Sequence, residues 1–462
     1  MPNEYFKNLV IGSGEGGKVL AWTLAKSGQR TAVVERRWIG GSCPNTNCLP
    51  SKNEIYSAHV AETVRRARQF GVITAPVSID MESVRNRKRE MVAGLIAMHM
   101  EKYQTSGAEL IMGQARFAGP HAVEVTLNSG GTRTLTGERI FLNLGTHAAI
   151  PPVCGLSDTR PMTNIEILEL DRLPEHLVII GGGYVGLEFA QAYRRFGSRV
   201  TVIQHGPQLL ADQDADIAAE LARILSAEGI QIITSAEVLN AEGRSGSSVT
   251  LTLRAPSGDS TISATDILVA AGRVPNTADI GLEAAGVELD PRGYIKVNDR
   301  LRTTAANIWA LGECAGSPQF THASLDDFRV VHGDLTGGTR STRDRLMPSC
   351  LFTDPQVAHI GLTETLAKKR GIAYRLAKAP MLAVLRTRTS DQSIGFAKAL
   401  IGADDRILGF TMIGPEAGEV MAVVQIAMLS DSPYTNLRDA ILAHPTMAEG
   451  LNVLFSSIAP AG

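Results

Sequence analysis

Short apolar runs alternate with helical patterns along the first forty residues. Residues 6–11 close on Leu9-Val10-Ile11 and run into glycines, Lys18 to Ala25 carries helical spacing, and Thr31 to Glu35 forms a second apolar run. This order predicts a β-α-β opening. A second such unit spans His176 to Gln204. Between them, residues 53–104 read as mostly helical, with segments at Tyr56 to Phe70 and Met81 to Glu101. Short strands are expected over 109–147, around an Asn128-Ser129-Gly130-Gly131 turn. A strand-rich block covers about 229–272, and residues 291–340 return to strand, loop and helix. Gly395 to Gly414 reads as a hairpin turning at Asp404-Asp405, with helices following around 416–430 and 447–458.

The two β-α-β units form an internal duplication without a short period, which excludes a solenoid. Two such units most simply bind two nucleotides. A chain of 462 residues allows roughly three domains. The formal net charge of −2 implies no nucleic acid and no membrane surface as partner. Met1-Pro2-Asn3-Glu4 leads straight into a strand, without a basic or apolar leader, and no apolar run reaches 18 residues. A cytoplasmic, reducing location is expected. Five cysteines in such a chain are no disulfide scaffold.

Gly12-Ser13-Gly14-Glu15-Gly16-Gly17 fits G-x-G-x-x-G through Gly12, Gly14 and Gly17. The first glycine permits a tight turn, the second lets a pyrophosphate approach the backbone, and the third lets helix and strand pack closely. Phosphates would then meet N–H groups at the helix start. Glu35, about 20 residues on, is placed to take ribose hydroxyls. Gly181-Gly182-Gly183-Tyr184-Val185-Gly186 repeats the pattern, through Gly181, Gly183 and Gly186. Its second strand ends in Gln204-His205 where an acid is expected. A carboxylate there would repel a 2′-phosphate and an amide would not, so NADPH is favoured and NADH stays open.

Cys43 and Cys48 follow closely on the first unit. On a regular helix, Cα atoms five apart lie about 8.7 Å from each other. A disulfide tolerates about 7 Å, so a bond between these two requires a distorted helix. Pro44 suits a helix start and Asn47 tolerates unusual backbone angles. Two buried cysteines or half of a zinc site are the other readings, but no nearby Cys or His completes a metal set. Cys154, Cys314 and Cys350 are isolated and read as small buried apolar residues. His322 reads as a polar pocket or surface residue.

Gly40 to Lys52 resembles the G-G-T-C-x-N-x-G-C-x-P-S-K segment of the flavoprotein disulfide reductases, the class of glutathione reductase, dihydrolipoamide dehydrogenase and mercuric reductase. Gly181 to Glu188 is similar to their G-G-G-Y-I-G-x-E and Ala270 to Asn276 to their A-x-G-R-x-P-N. Ala310 to Glu313 is similar to A-x-G-D, and His444 to Glu449 to H-P-T-x-x-E. The likeness covers essentially the whole chain. It looks closest to bacterial reactive-chlorine-resistance-type and mercuric-reductase-like flavoproteins.

The resemblance implies an α/β fold with two Rossmann-like dinucleotide-binding domains and a C-terminal α+β dimerisation domain. The expected division is FAD-binding over 1–150 and 273–342, NAD(P)-binding over 151–272 and dimerisation over 343–462. It implies FAD and NAD(P)H as cofactors and a homodimer. Cys48 would be the thiolate beside the flavin and Cys43 the thiol that attacks substrate. Lys52, paired with Glu188, would lie near the flavin, and Tyr184 would gate the nicotinamide side. His444, oriented by Glu449 and contributed by the partner subunit, would act as the acid–base. Further cofactor contacts are implied at Gly41, Ser42, Gly145, Gly272, Arg273, Gly312 and Glu313.

Departures are Glu313 for aspartate, Asn47 for glycine, and the missing acid at Gln204. The chain also lacks vicinal C-terminal cysteines and a Cys-x-x-Cys domain before the first strand, which argues against mercury reduction. The expected activity is NAD(P)H-dependent reduction of a small-molecule or protein disulfide. The alternatives are reduction of a soft metal ion such as copper(II) or mercury(II), and a non-catalytic nucleotide-binding subunit.

Overall fold

The computed structural model describes residues 4–458. Strand β1 (Glu4–Ile11), helix α1 (Glu15–Lys26) and strand β2 (Thr31–Glu35) form the expected opening. The chain continues through α2 (Ser42–Asn45), α3 (Cys48–Arg66) and α4 (Met81–Ser106) to strands β3 (Glu109–Phe117), β4 (Ala122–Leu127) and β5 (Thr132–Leu142). In the first sheet β1 pairs parallel with both β2 and β5, β2 pairs parallel with β3, and Ile308–Ala310 returns to pair parallel with β5. Both faces are covered by packing, so β1 reads as the continuous apolar run Leu9-Val10-Ile11, with exposures of 0–4%. β3 and β5 run on beyond the parallel sheet and pair antiparallel with β4. Gly113 opens the antiparallel stretch, where a Cβ would lie 2.6 Å from the Thr126 carbonyl oxygen.

A short strand β6 (Thr146–Ala148) and helix α5 (Asn164–Ile167) lead to the second unit, β7 (His176–Ile180), α6 (Tyr184–Phe196) and β8 (Arg199–Ile203). Its parallel sheet has the order Asp266–Val269, β7, β8, Gln231–Ile233, with a three-stranded antiparallel sheet from residues 237–264 beside it. The third sheet is antiparallel and five-stranded, with Gln356–Gly361 and Ile407–Gly414 at its centre. The hairpin expected there turns at Asp404-Asp405, with Asp405 at φ +64°. The two helices expected after it run Ala417–Leu429 and Gly450–Ser456, the second shorter than expected, with a short helix Tyr434–Arg438 between them. Among the described residues no helix is long and apolar enough to cross a membrane.

A buried charge cluster fastens the second unit to the third sheet. The Lys398 ammonium, 1% exposed, lies 2.8 Å from Asp214, 2.7 Å from Asp216 and 2.9 Å from Glu364. These three carboxylates lie close enough to hold a cation, and the ammonium is the one they hold.

Candidate active site

The first glycine loop is built by contact, with little room to spare. A Cβ on Gly12, at φ +96°, would lie 2.2 Å from the Asn143 carbonyl oxygen, and one on Gly14 would lie 2.4 Å from Asn143 Oδ1. The helix start is not wholly open to a phosphate, as the sequence pattern suggested. Gly16 N–H donates to Ser324 Oγ at 3.1 Å and Gly17 N–H to Asn143 Oδ1 at 3.1 Å. The N–H groups of Gly14 and Glu15 find no partner among the described residues and face a cavity. Gly12, Gly14, Glu35, Gly41, Ser42, Gly145 and Glu313 line that cavity. Gly41 packs so closely on Gly14 that a Cβ would sit 2.6 Å from the Gly14 Cα. Backbone donors, closely packed glycines and an elongated lining from Glu35 to Cys48 fit a flavin dinucleotide.

Glu35 has a structural task beside the one expected. Its carboxylate accepts from Ser13 N–H (2.9 Å), Ser13 Oγ (2.8 Å), Arg37 N–H (2.8 Å) and Trp38 N–H (3.0 Å), which ties the glycine loop to the end of β2. Glu313 and Arg273 meet each other. Thr146 Oγ1 donates to Glu313, Arg273 Nε donates to Thr146 Oγ1 at 2.6 Å and lies 3.3 Å from Glu313 Oε2.

The second glycine loop is more open. A Cβ on Gly181 would strike the Ala270 carbonyl oxygen at 2.3 Å and one on Gly186 the Gly181 carbonyl oxygen at 2.1 Å, whereas Gly183 faces open space. Gly182 N–H donates to Gln204 Oε1 at 2.8 Å, which leaves the Gln204 amide N–H2 as the group that can face a ligand. Gln204 and His205 line a second, larger cavity with Tyr184, Glu188, Gly272 and Arg273. The loop, its helix start and this cavity fit a nicotinamide dinucleotide.

The two cavities share Cys43, Asn47, Cys48, Glu313, Gln319, Phe320 and Thr321. The helix is broken between the cysteines, as a bond between them would require. α2 ends at Asn45, Asn47 takes φ −129° and ψ −104°, and α3 begins at Cys48. Both residues are free thiols, so this is the dithiol form of the pair. The Cys48 thiol is pulled down to about 6, chiefly by a hydrogen bond from Cys43, then by Thr321 and the Lys52 charge, against burial and Glu188. Cys43 is pushed up by the proton it shares with Cys48 and by burial. The pair therefore carries its negative charge on Cys48.

Lys52, one helical turn after Cys48, lies 2.6 Å from Glu188. Tyr184 donates its hydroxyl to Ser349 Oγ at 3.1 Å and packs edge-on against Phe320. His444 Nδ1 lies 2.9 Å from Glu449 Oε1, but the imidazole is 60% exposed and lines neither cavity. Within one chain the structure does not bring it to the thiols.

Several residues around the pair carried no signal that the sequence reading used. Asn143 touches three glycines of the first loop and donates to the Leu311 carbonyl at 2.9 Å. A polar residue directly after the buried run Ile140-Phe141-Leu142 was the available sign. Asp327 accepts from Gly312 N–H at 2.6 Å and pairs with Arg345. Among the remaining cysteines, Cys314 is buried and Cys350 half-buried, but Cys154 is exposed rather than buried as expected. His322 lines the second cavity and stacks on Phe320.

Two glycine-loop cavities that converge on one thiol pair define a flavoprotein dithiol oxidoreductase. Residues 6–327 match the pyridine nucleotide-disulphide oxidoreductase family and residues 347–454 match that family's dimerisation domain. The chain belongs to this family and is an FAD-dependent, NAD(P)H-linked disulfide oxidoreductase. It is 35% identical to a probable pyridine nucleotide-disulfide oxidoreductase, RclA, of Escherichia coli, over 98% of this chain and 99% of that one. It is 31% identical to dihydrolipoyl dehydrogenase of Geobacillus stearothermophilus, over 96% and 94%. Among solved structures it is similar to the HOCl-induced flavoprotein disulfide reductase RclA of Escherichia coli, with a TM-score of 0.88 at 34% identity, covering 98% of this chain and 99% of that one. A Cu(II) complex of the same reductase gives a TM-score of 0.89, covering 99% of each chain.

Proposed function

We propose that this chain is a cytoplasmic homodimer that uses NADPH to reduce a disulfide through Cys43 and Cys48. The observation that carries the reading is that the cavities of both glycine loops meet at this pair. Bound FAD would supply the two-electron link between the nicotinamide and the disulfide. The residues 1–150 and 273–342 hold it, and 151–272 hold the nucleotide. Over the cycle, NADPH, a proton and a disulfide give NADP⁺ and two thiols.

Each side chain has a task in that cycle. Cys43, farther from Lys52 in the chain, attacks the substrate disulfide and forms a mixed disulfide, and Cys48 then attacks Cys43 and releases the second thiol. The Lys52 ammonium, held by Glu188, supplies positive charge beside Cys48. Tyr184 opens to admit the nicotinamide. The Gln204 amide offers donors to a 2′-phosphate, which supports NADPH. His444 is turned outward with Glu449 on its Nδ1, so it serves the partner subunit's thiols, taking the proton of Cys43 and returning it to the leaving thiol.

Co-production of Cys43→Ser chains with His444→Ala chains tests this assembly. Each homodimer should lose disulfide turnover. The mixed dimer keeps one complete site, so activity should return to about half that of the parent per dimer. No recovery in purified mixed dimers, or full turnover by the Cys43→Ser homodimer, sinks the reading.

A second reading is reduction of a soft metal ion by the same thiols. Met347 and Cys350 line the cavity that holds Cys43 and Cys48, which adds a thioether and a thiol that the sequence did not place there. The Escherichia coli relative forms a Cu(II) complex, also as a C43S mutant, which supports binding of such an ion. Two Cu(II) ions would take two electrons, leaving two Cu(I), a disulfide and two protons. Turnover with Cu(II) that disappears in Cys43→Ser checks it.

A further inference from the structure

Thr321 opens the helix Thr321–Leu335, and its Oγ1 lies 3.2 Å from Cys48 Sγ, a residue 273 positions away in sequence. The hydroxyl also lies near enough to Cys43 to lower that thiol, but its close contact is with the Cys48 sulfur. Helix-start threonines commonly satisfy their own backbone, and Thr321 does not. It also lines both cavities, so its hydroxyl stands where the two nucleotide sites meet. The cycle proposed above gives it no task.

We propose that Thr321 is a catalytic residue of the reduced enzyme, whose hydroxyl donates to the Cys48 sulfur and fixes the remaining proton of the pair on Cys43. The proposal rests on the reading of Cys43 and Cys48 as the redox pair and deepens it. When the S–S bond opens, two electrons and one proton enter the pair, giving one thiol and one thiolate. A thiolate has no proton to give, so Thr321 O–H and Cys43 S–H both donate to Cys48. The ionic groups that face Cys48 are Lys52 and Glu188, paired with each other at 2.6 Å; Lys52 favours the thiolate there and Glu188 opposes it in part. At Cys48 the Thr321 hydroxyl adds to Cys43 and Lys52 in favouring the charge, whereas at Cys43 its pull is outweighed by Cys48 and by burial. Cys43 has Glu15 on its side, whose negative charge further disfavours a thiolate there. The outcome suits the cycle, because the attacking thiol keeps its proton until the acid–base takes it.

The test uses the flavin-loaded protein in a Cys43→Ser background, where Cys48 is the one thiol of the pair. The rate of iodoacetamide modification of the Cys48 peptide, followed by mass spectrometry against pH, reports the thiolate without turnover. Thr321→Val should raise the midpoint by about one unit, a tenfold loss of thiolate below it, while Thr321→Ser should stay near the parent. Thr321→Ala gives the same comparison if the valine variant fails to fold. An unmoved midpoint in the valine and alanine variants, or a serine variant displaced as far as valine, overturns the proposal. A Cys43→Ser chain that still reduces disulfides overturns the reading of the pair, and the role of Thr321 with it, whatever the midpoints are.

Discussion

Lys52 Nζ and Glu188 Oε2, 2.6 Å apart, join the helix that carries Cys48 to the helix that opens the second glycine loop. Glu188 is 5% exposed and its other oxygen accepts from Phe352 N–H at 3.0 Å, so the carboxylate is held from both sides. Replacing the cation strands a buried charge and removes positive potential from the thiol pair. Lys52→Met should slow reduction of the bound flavin by NADPH on the order of 100-fold, the scale of losing one charged stabilising group. Anaerobic stopped-flow absorbance at the flavin band checks this. A rate within threefold of the parent would remove Lys52 from the reaction.

The reduced enzyme should change with pH in a defined direction. Cys48 is held down to about 6, so its thiolate is present above that pH and is lost as pH falls through it. The long-wavelength thiolate–flavin absorbance of the two-electron-reduced protein should grow in with a midpoint near pH 6. A midpoint near the ordinary thiol value of roughly 8.5 would contradict the assignment of charge to Cys48.

Nucleotide choice should turn on one side chain. Gln204 Oε1 is taken by Gly182 N–H, and its amide N–H2 remains for the ligand. Gln204→Glu keeps the bond to Gly182 and replaces donors by a negative charge. The variant should lose at least about tenfold in kcat/KM for NADPH while NADH is retained or improved, a difference of roughly 1.4 kcal/mol. Equal losses for both nucleotides would mean that Gln204 merely supports the loop.

Glu54 gives a stability prediction. It is buried on α3, Oε1 has no partner, and burial raises its carboxyl from 4.5 to about 7. The folded chain holds the proton more tightly than the unfolded chain, so this group's contribution is complete below about pH 4.5 and fades as pH rises to about 7. The loss is of order 3 kcal/mol. Glu54→Gln should flatten the fall in melting temperature between pH 5 and pH 8. An unchanged slope would mean that the proton is not bound there.

Much of this arrangement was legible along the chain, for a physical reason. Parallel strands buried on both faces leave continuous apolar runs such as Leu177 to Ile180, and a dinucleotide turn demands glycines at fixed intervals. The cysteine spacing called for a helix break if the two were to bond, and α2 and α3 show that break. Contacts made across long separations left no local trace. Asn143 touches Gly12 and Gly14, Ser324 meets Gly16, and Thr321 meets Cys48 only because β5 and the Thr321–Leu335 helix come back to the first loop. Glu35 showed the opposite limit, since its position suggested a ribose partner but gave no hint that four protein donors already surround it.

The ammonium of Lys398, ringed by Asp214, Asp216 and Glu364, bears on how a nucleotide gets in. Gln213 and Thr365, neighbours of two of those acids, belong to the wall of the larger cavity. That wall is thus clamped across two units of the chain and cannot swing apart like a clam shell without exposing four charges. Admission of the nicotinamide nucleotide falls instead to small moving parts, and the Tyr184 ring, tethered by a single hydroxyl to Ser349, is light enough to move on its own.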